Sequence, residues 1–224
     1  MQYTHGCRIV SVLDVGGRNT IDFRRRCRVA LLLALFAARC AGGSEPTGPT
    51  PTPPPANPGL ACGVERWFVK TLGDPDAASV TLSSVTRTTV RDLNALPQHC
   101  EGGPDRRAYP EEFRVFEVVG RVTYIAHEDD RDYHVALEDP DAAGFSIVTE
   151  MADTTCMGAA SSPHLATLRS VEGLFASLLA GRAPSTLVGT TVRVQGVGFY
   201  DFNHGQRGRS NNCIELHPIV SITQ

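Results

Sequence analysis

Phe113 to Ala126 reads FRVFEVVGRVTYIA, a β-prone run of 14 residues with one glycine, Gly120, inside it. Ordinary strands are about 5–6 residues long. A run of this length forms a strand that bends, and an interior glycine marks a bulge or sharp turn of direction.

The segments after this run narrow the fold. Asp132 to Glu138 alternates with period two. Tyr133, Val135 and Leu137 face one way, and Asp132, His134, Ala136 and Glu138 the other. Phe145 to Glu150 is a third strand. Ser162-Pro163 opens a helix with a capping hydroxyl and a proline at its first position. Leu165, Leu168, Val171, Phe175, Leu178 and Leu179 form its apolar stripe, and Gly181 ends it. Thr191–Tyr200 and Cys213–Ile222 are the last strands, the second placing Ile214, Leu216, Val220 and Ile222 on one side. The order β-β-β-α-β-β with a long bent first strand is that of the OB-fold, a five-stranded Greek-key barrel. The expected fold class is mainly β with α: an OB-fold-like five-stranded barrel with an N-terminal elaboration over residues 62–112. In that elaboration, Val64, Trp67, Phe68, Thr71 and Leu72 have helical spacing. Ala78–Val85 is an expected strand, Thr88–Leu96 a short helix stopped by Pro97, and 98–110 a loop.

Composition sets the boundaries. Residues 41–60 hold seven Pro and four Gly, a content that buries no core and favours a semi-rigid, polyproline-like spacer. The globular domain is therefore 61–224. Upstream, Arg24, Arg25, Arg26 and Arg28 precede the ten-residue apolar run Val29–Ala38. A bilayer span needs about 20 such residues, whereas a basic cluster before a short apolar run is the layout of an export signal. Residues 1–40 are read as that signal, with the mature protein in the cell envelope or outside the cell. Cys40 occupies the position of the lipid-modified cysteine of a bacterial lipoprotein, although Arg39 replaces the small residue that pattern has. A lipid on Cys40 is the one expected membrane contact. Cleavage near Cys40–Gly43 without a lipid is the alternative.

The formal charge of −3 conceals an asymmetry. Residues 1–40 carry seven Arg and two Asp, which leaves 14 Lys+Arg against 22 Asp+Glu from Ala41 onward, a net of −8. A domain of that sign lacks the cationic footprint for neutralising phosphates, so nucleic acid is not an expected partner. The domain has four cysteines, Cys62, Cys100, Cys156 and Cys213, with no CxxC spacing for a thiolate zinc site. In an exported protein they form two disulfides in one of three pairings. Cys62–Cys100 with Cys156–Cys213 closes the smallest loops and is the expected one.

Two groups of residues carry candidate chemistry. In an OB-like barrel the start of the second strand lies near the end of the third, and the fifth runs parallel to the third. That geometry converges Asp132, His134, Glu150, Glu215 and His217 at the barrel mouth. Carboxylates with imidazoles suit a divalent metal ion or acid–base pairing. The second group is the 201–212 loop between the last strands, one of two loops that OB-folds use for ligands. Its His204, Gln206, Arg207, Arg209 and Asn212 suit an anion held by guanidinium and backbone donors. No GxSxG elbow, phosphate-binding GxxxxGK[ST] loop, HExxH or dinucleotide fingerprint occurs.

Glu65-Arg66-Trp67 with Lys70, Asp132-Tyr133-His134, His204-Gly205-Gln206 with Gly208, and Glu215-Leu216-His217-Pro218 together resemble a group of uncharacterised exported bacterial proteins over about residues 62–222. The resemblance implies export and a single domain, and no activity. A fainter likeness to secreted thermonucleases, also OB barrels, carries over no residue. The first functional expectation is an exported, envelope-tethered binding or structural module. Its ligand would be an anionic small molecule or an envelope component. The alternative is a metal-dependent hydrolase, a phosphodiesterase or nuclease, so enzyme status stays open.

Overall fold

The computed structural model describes residues 62–63 and 65–224. The expected export signal, Cys40, the spacer, Ala61 and Val64 lie outside the described residues. In chain order the elements are α1 (Trp67–Lys70), β1 (Val85–Arg87), α2 (Val90–Asn94), β2 (Val115–His127), β3 (Tyr133–Glu138), β4 (Ser146–Met151), α3 (Met157–Ala160), α4 (Leu165–Leu179), β5 (Thr191–Tyr200) and β6 (Ile214–Thr223).

The long strand organises the sheet. The first half of β2 pairs antiparallel with β5, from Val115 opposite Val197 to Arg121 opposite Thr191. Its second half pairs antiparallel with β3, from Arg121 opposite Glu138 to His127 opposite Tyr133. One strand thus serves two neighbours and closes the barrel β2-β3-β4-β6-β5, with β1 an extra parallel strand on β2. Pairing passes from β5 to β3 at Arg121, next to Gly120, where an added Cβ would come within 2.8 Å of Leu137 Cβ. The bulge lies slightly beyond, between Val122 and Tyr124.

Alternation fills the interior. Val135, Leu137, Ile147, Val192, Val194, Ile214 and Leu216 meet there, and α4 adds Val171 and Phe175. The end of α4 is left-handed at Ala180 and Gly181, and Ser162 Oγ accepts the His164 N–H at its start. On β6 the core-facing residues are Ile214, Leu216, Ile219 and Ile222, while Val220 joins a separate apolar cluster with Leu72 and Val115. The expected stripe through Val220 fails because two register shifts around Gly196 each add a residue to β6, one of them at Val220, so that Ile219 and Ile222 rather than Val220 face the core.

The elaboration departs further from expectation. Ala78–Val85 is not a strand: a 3-10 turn covers Ala77–Ser79 and only Val85–Arg87 pairs. The Asp74 carboxylate accepts the Asp76 N–H and its carbonyl the Ala77 N–H, so local turn bonds override β propensity. In the expected 64–72 stripe, Phe68 is exposed and Lys70 is buried. The disulfides are Cys62–Cys156 and Cys100–Cys213, which corrects the expected pairing. Loop length does not decide it. Residues 99–101 run beside the 202–213 segment, with His99 N–H on Asn212 O and Asn203 N–H on Cys100 O, so Cys100 meets Cys213. Both bonds fit an extracellular or otherwise oxidising compartment. Among the described residues no helix is long and apolar enough to cross a membrane.

Candidate functional site

Residues between the core-facing ones share the barrel's outer face. His134 stands opposite Glu150 in the β3–β4 register. β4 runs parallel to β6 with Val148 opposite Glu215 and Thr149 opposite Leu216, which brings Glu150 level with His217. Three adjacent strands therefore set His134, Glu150 and His217 in one row, with Asp132 just before β3 and Glu215 on the same face of β6. The sequence placed this constellation at the barrel mouth. It lies on the outer wall instead, because the alternation that sends Val135 and Leu137 inward sends His134 outward.

The row is nonetheless buried, because distant segments roof it. The Arg66 guanidinium and Lys70 ammonium lie 4.7 and 5.5 Å from the centre of the Phe199 ring, whose edge meets His217 at 5.6 Å. From the other side the 201–212 loop lays Arg207 O on His134 Nε2 at 2.8 Å. Gly208 in this loop has φ 83 and packs so closely on Ala136 that a Cβ would collide with it.

Carboxylate and imidazole alternate along the row. Asp132 Oδ2 lies 3.2 Å from His217 Nε2, His217 Nδ1 lies 2.9 Å from Glu150 Oε2, and Glu150 Oε1 lies 2.9 Å from His134 Nδ1. Both His134 contacts are aligned hydrogen bonds to acceptors, a carboxylate and a carbonyl. Satisfying both requires two ring protons, an imidazolium. Burial opposes that charge, and Glu150 outweighs it, so the His134 pKa is raised. His217 differs. Neither of its nitrogens is aligned with the neighbouring oxygen, and Asp132 Oδ2 and both Glu215 oxygens also lack a hydrogen-bond partner.

The charges polarise one another. Burial opposes ionisation of Glu150, but His217, His134 and Lys70 hold it well below the usual carboxylate range. Burial pushes Glu215 well above that range, with Glu150 and Asp201 adding to the push. Burial also raises Asp132. His217 is raised to about 9 because Glu150 and Asp132 outweigh the burial that disfavours its charge.

Lys70 and Asp201 belong to this site and were not among the residues expected there. Lys70 is the chain's only lysine, which was the available signal: the other basic side chains are arginines. Burial acts against its charge, but Glu150, Asp201, Glu215 and Asp132 keep it protonated above the ordinary lysine range. Its Nζ lies 3.7 Å from Asp201 Oδ2. A cavity of about 300 Å³ opens above Lys70 and Glu150, walled by Glu65, by Glu128, Asp129 and Asp130 of the β2–β3 turn, and by Asp201 and His204. A separate cavity of about 270 Å³ lies against α4 among Tyr133, Met151, Phe175 and Leu179, and holds none of the row.

The expected ligand-binding loop residues are engaged within the protein. His204 Nε2 lies 3.3 Å from Asp201 Oδ2, and Gln206 donates to Phe202 O at 3.0 Å. Arg207 stacks over the Tyr124 ring at 4.5 Å. Arg209 donates to Ser210 O at 2.8 Å. Asn212 Nδ2 donates to Leu93 O and Leu96 O at 2.8 and 3.1 Å. The loop acts as a strap. Among the described residues, four of the expected metal-ligating residues fall into two groups, Asp132–Glu150–His217 and His134–Glu150 joined by Glu128, which was not expected there; each group has donor atoms within 4.8 Å of one another. Glu215 is in neither.

No family model matches the chain. No curated protein matches it either. Among the solved structures that match, OBody AM2EP06 bound to hen egg-white lysozyme aligns at 13% identity with a TM-score of 0.30, covering 52% of this chain and 94% of that one. A likeness at that score says nothing about function.

Proposed function

We propose that the protein is an exported, envelope-tethered binding module whose ligand enters the cavity above Lys70 and Glu150. The observation that carries this reading is the cavity's floor: a buried lysine and a buried carboxylate, continuous with the polar row beneath. A purely structural cluster has no need of an opening. The export part rests on the signal-like residues 1–40, the two disulfides and the resemblance to exported proteins. Glu65, Glu128, Asp129, Asp130, Glu150 and Asp201 around one lysine favour a cationic ligand. An anion, as the loop arginines suggest, would instead sit outside this cavity, since neither Arg207 nor Arg209 lines it. Spermidine is a suitable probe. It should raise the unfolding temperature of the protein, and Asp201→Asn should remove the rise. No response to spermidine, or a response to inorganic phosphate instead, contradicts the reading. Intact mass of the exported protein tests cleavage and lipidation at Cys40.

A metal-dependent hydrolase is the second reading, and one observation favours it. Glu150 belongs to both metal-capable groups and also reaches the cavity. Hydrolysis of a chromogenic phosphodiester that depends on added Zn2+ or Mn2+ and is lost in Glu150→Gln would support it.

A further inference from the structure

We infer that Asp132, Glu150 and His217 form a buried site for one divalent transition-metal ion of the Zn2+ or Mn2+ kind. The inference is independent of the cavity reading, since a buried ion stands whether or not the cavity takes a ligand.

Three features single out this group. The first is the donor set and its span. One imidazole nitrogen and two carboxylate oxygens lie within 4.8 Å of one another, His217 offering the ion either Nε2, beside Asp132, or Nδ1, beside Glu150. Metal–ligand bonds of about 2.1 Å place opposite ligands about 4.2 Å apart, so one ion can be shared by donors on this scale. The three come from three separate elements: the approach to β3, β4 and β6.

The second feature is hydrogen-bond alignment. In the rival group, His134 spends both nitrogens on aligned hydrogen bonds, and the Glu128 side chain is 41% exposed. In the inferred group, His217 and Asp132 are buried and close, yet Asp132 Oδ2 and both His217 nitrogens lack an aligned partner. Buried polar atoms are satisfied in the great majority of cases, and unsatisfied ones call for a specific cause such as an ion. Donors brought together without aligned protons are what a shared cation requires.

The third feature is charge. Lys70 is the one fixed ammonium beside the carboxyl groups of Asp132, Glu150, Asp201 and Glu215, and the imidazoles His134 and His217 are the other cations of the row. That ammonium contacts Asp201 rather than the Asp132–His217 pair. Imidazole with carboxylate suits Zn2+ or Mn2+, whereas Ca2+ takes 6–8 oxygen ligands.

The test uses the full exported protein with its disulfides intact. After stripping with EDTA it is titrated with ZnCl2 and with MnCl2, and retained metal is counted by elemental analysis after gel filtration. The expected result is one equivalent of at least one of the two metals per chain with Kd below about 1 µM. Asp132→Asn and His217→Gln should each weaken it by about 100-fold or more. Asp92→Asn, at an exposed position on α2, should leave it unchanged. Near-UV circular dichroism establishes that the variants are folded. If they are not, the wild-type result alone decides. A wild-type protein that retains neither metal overturns the inference, as does loss in His134→Gln with retention in His217→Gln. Failure of spermidine binding with metal retained would strike only the cavity reading.

Discussion

The wall made by β3, β4 and β6 has two faces, both buried, held by different physics. Its inner face carries Val135, Leu137, Ile147 and Leu216, and its outer face His134, Glu150, Glu215 and His217. The inner face is stabilised by burial itself, about 25 cal/mol per Å² of apolar surface removed from water. The outer face is not, because removing a charge from water costs several kcal/mol per ion unless partners compensate. Shape decides what the inner face tolerates, and partnership decides what the outer face tolerates.

That contrast is open to attack by substitution. Glu150→Ala strands two buried imidazoles and should cost about 3–5 kcal/mol in urea unfolding, matching Leu216→Ala, for which about 2–5 kcal/mol is expected. A cost below about 1 kcal/mol would mean that pairing does not hold the outer face. Replacing Cys62 and Cys156 with Ser opens a link closing 94 residues. It should cost about 2–5 kcal/mol. Hydrogen exchange should then rise in α1, which roofs the outer face, before it rises in β6.

The two faces also respond differently to pH. His217 has a folded pKa of about 9 against an ordinary 6.5. Its contribution is fully present below the lower value and is lost as pH rises through the upper. Glu215 is also raised, and so acts in the same direction. Metal-free protein should therefore lose up to about 3 kcal/mol between pH 6.5 and 9. His217→Gln should flatten that slope, and Leu216→Ala should leave it. The mildest change is expected for Glu215→Gln, about 1 kcal/mol or less, stabilising at pH 8 because an amide needs no proton held against the solvent.

The faces differ, too, in how far they could be read from sequence. Alternation through Tyr133–Glu138 located the core of β3 and, by the same parity, the row-facing His134. The parallel relation of β4 and β6 followed from the barrel topology and brought Glu150 and His217 together. The row's location, roof and exact membership were not legible. Lys70 and Asp201 reach it from a short helix and a strand end with no periodicity to announce them. The roof depends on disulfides between segments 94 and 113 residues apart, which local pattern does not encode. Val220 was misplaced for a related reason: the β5–β6 register gives β6 extra residues between Leu216 and Ser221, and strict alternation passes over them although Pro218 lies among them.

The outer face depends on its buried charges being held by their partners, and the lone lysine reports on that. Treatment with an amine-acylating reagent followed by peptide mass spectrometry reads the reactivity of Lys70 alone among side-chain amines. Lys70 should resist acylation in the oxidised protein, being buried and held protonated by four carboxylates, and should become reactive once the disulfides are reduced. Acylation of Lys70 at the rate of an exposed lysine in the oxidised protein would mean that the surrounding carboxylates do not hold its ammonium.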